Sequence, residues 1–182
     1  VLMARRLTRR EKAVISGGVH PQYRDVIATL AGMSGGQIDA LAPDPTGTED
    51  IIAKIRDDTA CVVVQSPSFY GQLPDIRKIA DAAHAKGALL VVVVTEILSL
   101  GILQAPGDLG ADIVAAEGQS LGDSVNFGGP YVGLFATRQK FIRQLPGRLC
   151  GETVDADGRR GLVLLLDPIS ASRADGITID VA

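Results

Sequence analysis

Short apolar runs alternate with amphipathic stretches along most of the chain, and each run has the length of a strand. The pattern predicts strands at 13–16, 37–41, 61–65, 88–95, 112–116 and 131–137, and helices at 21–33, 48–55 and 75–86. Alternating strands and helices with short connections are typical of a mainly parallel sheet with right-handed crossovers. The sequence therefore predicts an α/β fold, a mostly parallel sheet with flanking helices.

Differences among the apolar runs indicate where each strand lies in the sheet. The run at 88–95 is the most hydrophobic and is predicted to be central, and 61–65 lacks alternation, as expected of a parallel strand covered on both faces. The run at 37–41 alternates apolar and polar residues, which favours a sheet edge.

The predicted helices carry recognisable start and stop signals. Pro21 lies in the first turn of the first helix, and Gly87 follows the third. Thr48 is predicted to cap the second helix. The expected inward faces are Val26, Ile27 and Leu30 on the first helix and Ile51, Ile52 and Ile55 on the second.

The stretch from Gly110 to Thr137 joins two predicted strands through a long glycine-punctuated loop containing Gly118, Gly122, Gly128 and Gly129. Glycine permits backbone geometries that other residues resist, so these positions suit either a plain strand connection or a close approach of the main chain to a ligand. Ligand sites in open α/β sheets lie beyond the carboxyl ends of the strands, where this loop falls. Its position favours the functional interpretation.

Composition and charge argue against two classes of binding partner, nucleic acids and membranes. A net charge of −3 argues against nucleic acid, and the basic cluster near the start is predicted to be a solvated helix face: Arg5, Arg6, Arg9, Arg10 and Lys12. No apolar run approaches the length of a membrane span, so we expect no membrane partner and a cytoplasmic protein. Aspartates 155 and 157 are predicted to form a polar turn, with no metal site.

Few side chains offer catalytic chemistry. Cys61 is expected to be a buried small hydrophobe, and Cys150 to lie in a polar turn. His20 is predicted to cap a helix, and His84 to be solvated on an exposed helix face. The sequence contains no dinucleotide-binding or phosphate-loop motif, so the residues alone identify no catalytic group.

Five co-linear motifs stand in order along the chain: VHPQYRDV, VVVQSPSFYGQLPDI, LSLGILQAPGDLGADIV, GADIVAAEGQSLGDSVNFGGPYVGLFAT and PGRLCGETVDADGRRG. They resemble subunit 1 in the two-subunit form of the glycine cleavage system P-protein family, a member of the pyridoxal-phosphate fold type I superfamily. The resemblance covers about Val1 to Leu165. It implies the large domain of that fold. The family's subunit is longer, so the chain resembles only its middle.

The resemblance also implies a reaction. Glycine is decarboxylated on pyridoxal phosphate, and its aminomethyl group passes to the lipoyl arm of H-protein. In the family's catalytic subunit, a lysine eleven residues before the proline of a glycine-rich loop carries the cofactor. Counting back from Pro130 gives Gln119, whose amide cannot form an imine, and Val94 stands near the position of the aspartate that faces the pyridine nitrogen.

The resemblance therefore implies a non-catalytic partner with no catalytic or cofactor-binding residue of its own. The cofactor is expected on the catalytic subunit 2, and lipoylated H-protein is expected to act through the complex. The predicted active-site or interface loop comprises Gly118, Gln119, Asn126, Phe127, Gly128, Gly129, Pro130 and Tyr131. Phe127 and Tyr131 are its expected apolar anchors.

The tail departs from the family pattern. After LVLLL the chain reads DPISASRADGITIDVA, where the family continues with a segment rich in Arg, Glu and His, so a truncated or frame-shifted end is expected. We predict one partial α/β domain over 1–182, with a sheet-and-helix core at 1–145 and a polar excursion, strand and atypical tail at 146–182. The alternative hypothesis is a non-functional remnant or pseudo-enzyme domain of the same superfamily; the missing lysine disfavours an independent aminotransferase-like enzyme.

Overall fold

The computed structural model describes residues 1–124, 131–147 and 149–165. Three α-helices are present in this part of the chain, α1 (Leu2–Thr8), α2 (Pro21–Met33) and α3 (Ile76–Ala85). The strands are β1 (Lys12–Ile15), β2 (Gln37–Ala40), β3 (Thr59–Gln65), β4 (Leu89–Val94), β5 (Ile113–Glu117), β6 (Gly133–Thr137), β7 (Leu149–Val154) and β8 (Arg160–Leu165). Four 3₁₀ turns lie at Ile52–Lys54, Ile97–Gly101, Gln119–Leu121 and Gln139–Gln144.

Six strands form one sheet in the order β2-β1-β3-β4-β5-β6. Strands β1 to β5 are parallel, and β6 returns antiparallel to β5. The predicted mostly parallel sheet with flanking helices is confirmed, as are the central position of β4 and the edge position of β2. Strands β7 and β8 form a separate antiparallel hairpin, where the sequence predicted only the second strand.

Each face of the sheet has its own core. On one face, α3 packs its buried Ile76, Ile79, Ala80 and Ala83 against Val62, Val64, Leu90 and Val92. On the other face, Met3 and Ala4 of α1 pack with Ile15, Cys61, Val63 and Val91. Every residue of β3 is buried, as predicted for a strand covered on both faces. Cys61 is fully buried, which confirms its predicted role as a small hydrophobe.

The predicted buried stripe of α2 is wrong. Val26 is 54% exposed and Leu30 47% exposed, Ile27 is half-buried, and Ala31 is the one buried residue of the helix. The helix connects β1 to β2 at the edge of the sheet, so much of its apolar face extends past the strands it covers.

The predicted cap at Thr48 is also wrong. The hydroxyl of Thr48 donates to the Asp44 carboxylate, and the following turn at Ile52–Lys54 begins without a side-chain cap. Asp44 holds this loop instead, because its Oδ2 accepts the N–H of Glu49 at 2.7 Å. That hydrogen bond holds the pKa of Asp44 below its usual value. Ile51 and Ile55 are buried as expected.

The N-terminal arginines do not form a uniformly solvated face. Arg5 is only 8% exposed, and its guanidinium pairs with Glu11 and donates to the Ser34 carbonyl at 3.0 Å. Arg10 donates to the carbonyl oxygens of Thr59 and Lys86 at 2.9 and 2.8 Å. Both guanidinium groups donate to backbone carbonyl oxygens, which their several N–H donors allow.

Two further predictions concern the hairpin. Asp155 accepts the N–H groups of Asp157 and Arg159, so the polar turn is confirmed. Cys150 lies on β7, where it is exposed, and the prediction of a turn at that residue is wrong.

Candidate functional site

The carboxyl ends of the parallel strands meet at one edge of the sheet. Ser16 follows β1, Gln65 ends β3, Thr95 follows β4 and Glu117 ends β5. The chain at this edge is polar because strand ends leave backbone groups without ladder partners, and these side chains supply them.

Gln65 is the centre of this polar edge. It is 3% exposed, and its Oε1 accepts the N–H of His20 at 2.8 Å. Its Nε2 donates to the Pro67 carbonyl at 3.1 Å and lies 3.3 Å from the hydroxyl of Thr95. One buried amide therefore fixes the connections that follow three neighbouring strands.

His20 caps α2 as predicted, since its Nδ1 accepts the N–H of Gln22 at 3.2 Å. Its ring also belongs to an exposed aromatic cluster, with centroids 5.1 Å from Tyr23 and 4.9 Å from Phe69. Tyr70 extends the cluster, 5.3 Å from Phe69. Sequence reasoning missed this cluster; its signal was the placement of aromatic residues directly after β1 and β3 in a chain that is only 4% aromatic.

A polar cleft of about 480 Å³ opens beside the ends of β1 and β3. Glu49 lines it, accepting the hydroxyl of Ser16 and, at 2.7 Å, the N–H of Gly17. Ser68 and Lys78 border the same cleft. The sequence placed Glu49 in a helical first turn, and nothing in its local pattern indicated a contact with Gly17, which lies 32 residues away.

The predicted loop begins where β5 ends. Gln119 is half-buried and starts a 3₁₀ turn, with its N–H donated to Glu117 Oε1 at 3.0 Å. The same oxygen accepts the N–H of Val132 at 3.2 Å, so Glu117 ties the departing chain to the returning one. Ser120 donates to Glu96 Oε2 at 3.1 Å, which fixes the turn to the end of β4.

Of the other loop residues, Gly118 is buried and Tyr131 is 62% exposed. Gly118 is closely surrounded: its φ is −107°, and an added Cβ would lie 3.1 Å from Leu134 Cδ1 and 3.2 Å from Val132 Cγ1, so these side chains would have to shift by a few tenths of an ångström. Gly122 has a φ of +139°, which favours glycine. Asn126, Phe127, Gly128, Gly129 and Pro130 lie outside the described residues.

The residues at the expected cofactor positions do not fit a covalently bound pyridoxal phosphate. Gln119 offers an amide and no amine, and its turn is anchored by Glu117 and Glu96. Val94 is fully buried in the core beneath α3, where it presents no charge to a pyridine nitrogen. In the described parts of the chain, no group of three His, Cys, Asp or Glu side chains could hold a metal ion.

His84 lies at the opposite end of the sheet on an exposed helix face, as predicted, and its side chain is 41% exposed, but it also has a buried partner that the sequence did not indicate. Its Nε2 lies 2.7 Å from Oδ2 of Asp112, which is 3% exposed and also accepts the N–H of Leu90 at 2.9 Å. Asp112 precedes β5, so this pair joins α3 to two central strands. It is a structural contact, distant from the polar edge.

The fold and the polar edge define an α/β domain whose candidate site lies beyond the carboxyl ends of its parallel strands. No helix in the described residues has both the length and the hydropathy to cross a bilayer. The family model described as glycine cleavage system P-protein matches residues 1–170. The chain belongs to this family.

Similar proteins support the same family. A protein of Rhodospirillum centenum described as probable glycine dehydrogenase (decarboxylating) subunit 1 is 63% identical over 166 residues, which cover 91% of this chain and 37% of that protein. A protein of Caulobacter vibrioides with the same description is 61% identical with the same coverage. The chain thus spans 37% of the length of these relatives.

A solved structure gives the same result. The crystal structure of an inhibitor-bound glycine decarboxylase (P-protein) of the glycine cleavage system superposes with a TM-score of 0.81 at 45% identity. The superposition covers 91% of this chain and 37% of that chain. The described fold is therefore that of one part of a longer P-protein.

Proposed function

We propose that this chain is part of the non-catalytic subunit 1 of glycine dehydrogenase (decarboxylating). In this proposal it supports the decarboxylation of glycine and the transfer of the aminomethyl group to lipoyl H-protein. The observation that carries the proposal is the polar edge itself: the turn at 119–121 is held by Glu96 and Glu117 in the place where the resemblance puts a cofactor lysine. The turn is held by hydrogen bonds, yet the residue at the position of the imine-forming lysine is Gln119, whose amide cannot form an imine.

Pyridoxal phosphate would supply an electron sink for the decarboxylation. Because Gln119 and Val94 do not fit it, we assign the cofactor to the catalytic subunit 2, and no step is carried by a residue of this chain. The remnant hypothesis has no observation of its own in its favour, since the sheet has two packed cores and a fully hydrogen-bonded Gln65 at its edge.

The role left to this chain is to shape an interface. Tyr131 and Phe69 are exposed at the carboxyl edge, 62% and 46% respectively, and exposed aromatics are common anchors of protein–protein contacts. We propose that this edge, with Gly118, Gln119 and Tyr131, faces the catalytic subunit. The predicted loop residues Asn126, Phe127, Gly128, Gly129 and Pro130 belong to the same proposal.

Reduction with borohydride tests the absence of a covalent cofactor. The chain is incubated with pyridoxal phosphate, reduced, and its intact mass measured. We expect no stoichiometric adduct, because position 119 has no amine. A stable adduct at Lys78, which borders the polar cleft, would contradict the assignment if the Lys78→Arg variant lost both the adduct and the activity of the assembled enzyme.

Association is tested in a full-length chimera. The chimera is the Rhodospirillum centenum relative with its matching segment replaced by the 166 matching residues of this chain. We expect it to co-purify with a family catalytic subunit, and Tyr131→Ala to weaken association by about 1–2 kcal/mol at an unchanged melting temperature. Met33→Ala is the matched control, because Met33 is 81% exposed at the far end of α2. Equal effects of the two substitutions, or no association, would contradict the proposed interface.

A further inference from the structure

An apolar groove lies between α2 and the part of the sheet that α2 does not reach. Its floor includes Val93, Ala115 and Phe135, which are paired in one row across β4, β5 and β6. Val93 and Ala115 are only half-buried, and Phe135 is 44% exposed. Among the described residues, this face of the sheet is therefore only partly covered at the row that joins β4, β5 and β6, although Val91 and Ile113, nearer the other end of β4 and β5, are buried.

The wall of the groove is the apolar side of α2. Tyr23, Val26 and Ile27 line a cavity of about 460 Å³, and Ile27 and Leu30 line an adjoining one of about 750 Å³ that also contacts Phe135. Tyr23, Val26 and Leu30 are 39%, 54% and 47% exposed. The floor and the wall of the groove are both apolar. Covering them with another apolar surface is therefore favourable, because it removes apolar area from water.

Parallel sheets are normally covered by helices on both faces, and the opposite face of this sheet is covered by α3. A groove with an apolar floor and one apolar helical wall fits a further α-helix, whose diameter is about 10–12 Å. Arg6 and Arg9 line the wider cavity, so the helix that fits carries acidic residues on that side.

We propose that this groove is occupied by an amphipathic helix from the part of the family's polypeptide that this chain does not span. The matched region is 37% of the Rhodospirillum centenum relative, so most of that polypeptide is available to supply the helix. The acidic residues of the helix lie toward Arg6 and Arg9. The proposal rests on family membership and the open groove, and does not depend on which subunit binds the cofactor.

Thiol labelling compares this chain with the full-length chimera. In a Cys150→Ser background, Val26→Cys and Leu30→Cys each place a thiol in the groove, and Asp81→Cys places one on the exposed side of α3 as the matched control. The native Cys61 is fully buried and reports unfolding, because it becomes reactive only if the sheet opens.

In this chain alone, we expect rapid labelling at positions 26, 30 and 81. In the chimera, labelling at 26 and 30 slows at least about tenfold while 81 is unchanged and Cys61 stays unreactive. A second arm replaces Arg6 and Arg9 by Glu in the chimera, which restores at least part of the labelling at 30 through repulsion of the acidic helix.

Three results would overturn the proposal. The first is unchanged labelling at 26 and 30 in a chimera whose Cys61 is unreactive. The second is protection in this chain alone that grows with protein concentration, which would assign the groove to a second copy. The third is protection in the chimera that Arg6→Glu and Arg9→Glu strengthen, which would exclude an acidic helix.

Discussion

Helices α2 and α3 have similar apolar spacing but very different surroundings. Four of the ten residues of α3 are buried, whereas Ala31 is the one buried residue among the thirteen of α2. The difference follows from sheet position, since α3 connects the central strands β3 and β4 and α2 connects β1 to the edge strand β2. A helix over the centre of the sheet packs on several strands, whereas α2, over the edge, has part of its apolar face uncovered by the described residues.

The comparison of the two helices distinguishes apolar residues that stabilise this chain from apolar residues that are available to bind another element. The apolar residues of α3 complete a core within the chain, so their loss is expected to reduce its stability. The apolar residues of α2 contribute little to stability in the chain alone and are available for a further element. Four substitutions measure this difference, beginning with the largest expected effect.

Ile79→Ala on α3 is expected to lower the free energy of unfolding by about 2–5 kcal/mol, because it leaves a cavity between α3 and the sheet. Ile79 is 6% exposed and belongs to the core that includes Val64 and Val92. Urea titration followed by far-ultraviolet circular dichroism gives the value. A loss below about 1 kcal/mol would show that this core is loosely packed.

The titration of the Cys61 thiol tests whether water reaches the sheet beneath α1, next to the open groove. Burial raises the pKa of Cys61 to about 11 from an ordinary value of 9.0. The unfolded chain therefore loses this proton first, so the contribution to stability is complete below pH 9 and is lost as the pH rises towards 11.

We expect the wild type to lose about 2–3 kcal/mol more than Cys61→Ala between these pH values. Urea titrations at several pH values measure the difference. Cys150→Ala, at an exposed thiol, serves as the control and is expected to follow the wild type. Parallel curves for wild type and Cys61→Ala would mean that water reaches this thiol from the groove.

Asp112→Ala is expected to cost about 1–3 kcal/mol, because the buried N–H of Leu90 loses its acceptor. His84 also loses its partner, but its side chain is 41% exposed and can be hydrated. Asp81→Ala, at an exposed position of the same helix, is the control and is expected to leave stability unchanged or slightly raised. Equal losses would show that the buried pair does not secure α3.

Val26→Ala on α2 is expected to change the free energy of unfolding by no more than about 0.5 kcal/mol, because Val26 is 54% exposed in this chain. The same titration used for Ile79→Ala gives a direct comparison of the two helices. A loss comparable with that of Ile79→Ala would remove the distinction between them.

The sequence by itself determined most of the elements, because these depend on local patterns, but the predicted helix at 48–55 is only a 3₁₀ turn at Ile52–Lys54, and β7 was not predicted. Periodicity and Pro21 predicted α2 with the bounds that the structure shows, and Gly87, with a φ of +67°, marks the end of α3 as expected. The uninterrupted apolar run of β4 predicted its central position, and that of β3 predicted a parallel strand covered on both faces. Membership of the family is likewise determined by the sequence, because the motifs that carry it are short local stretches spread along the chain.

Only the tertiary structure decided which residues these elements contact. The pairing of His84 with Asp112 and the contact of Glu49 with Gly17 join residues 28 or more positions apart. The exposure of α2 depends on which of the described residues lie against it. Gln65 likewise gained its role only when β1, β3 and β4 brought His20, Pro67 and Thr95 around it. Local sequence sets which side of an element is apolar or polar, and the order of strands in the sheet sets what lies opposite that side.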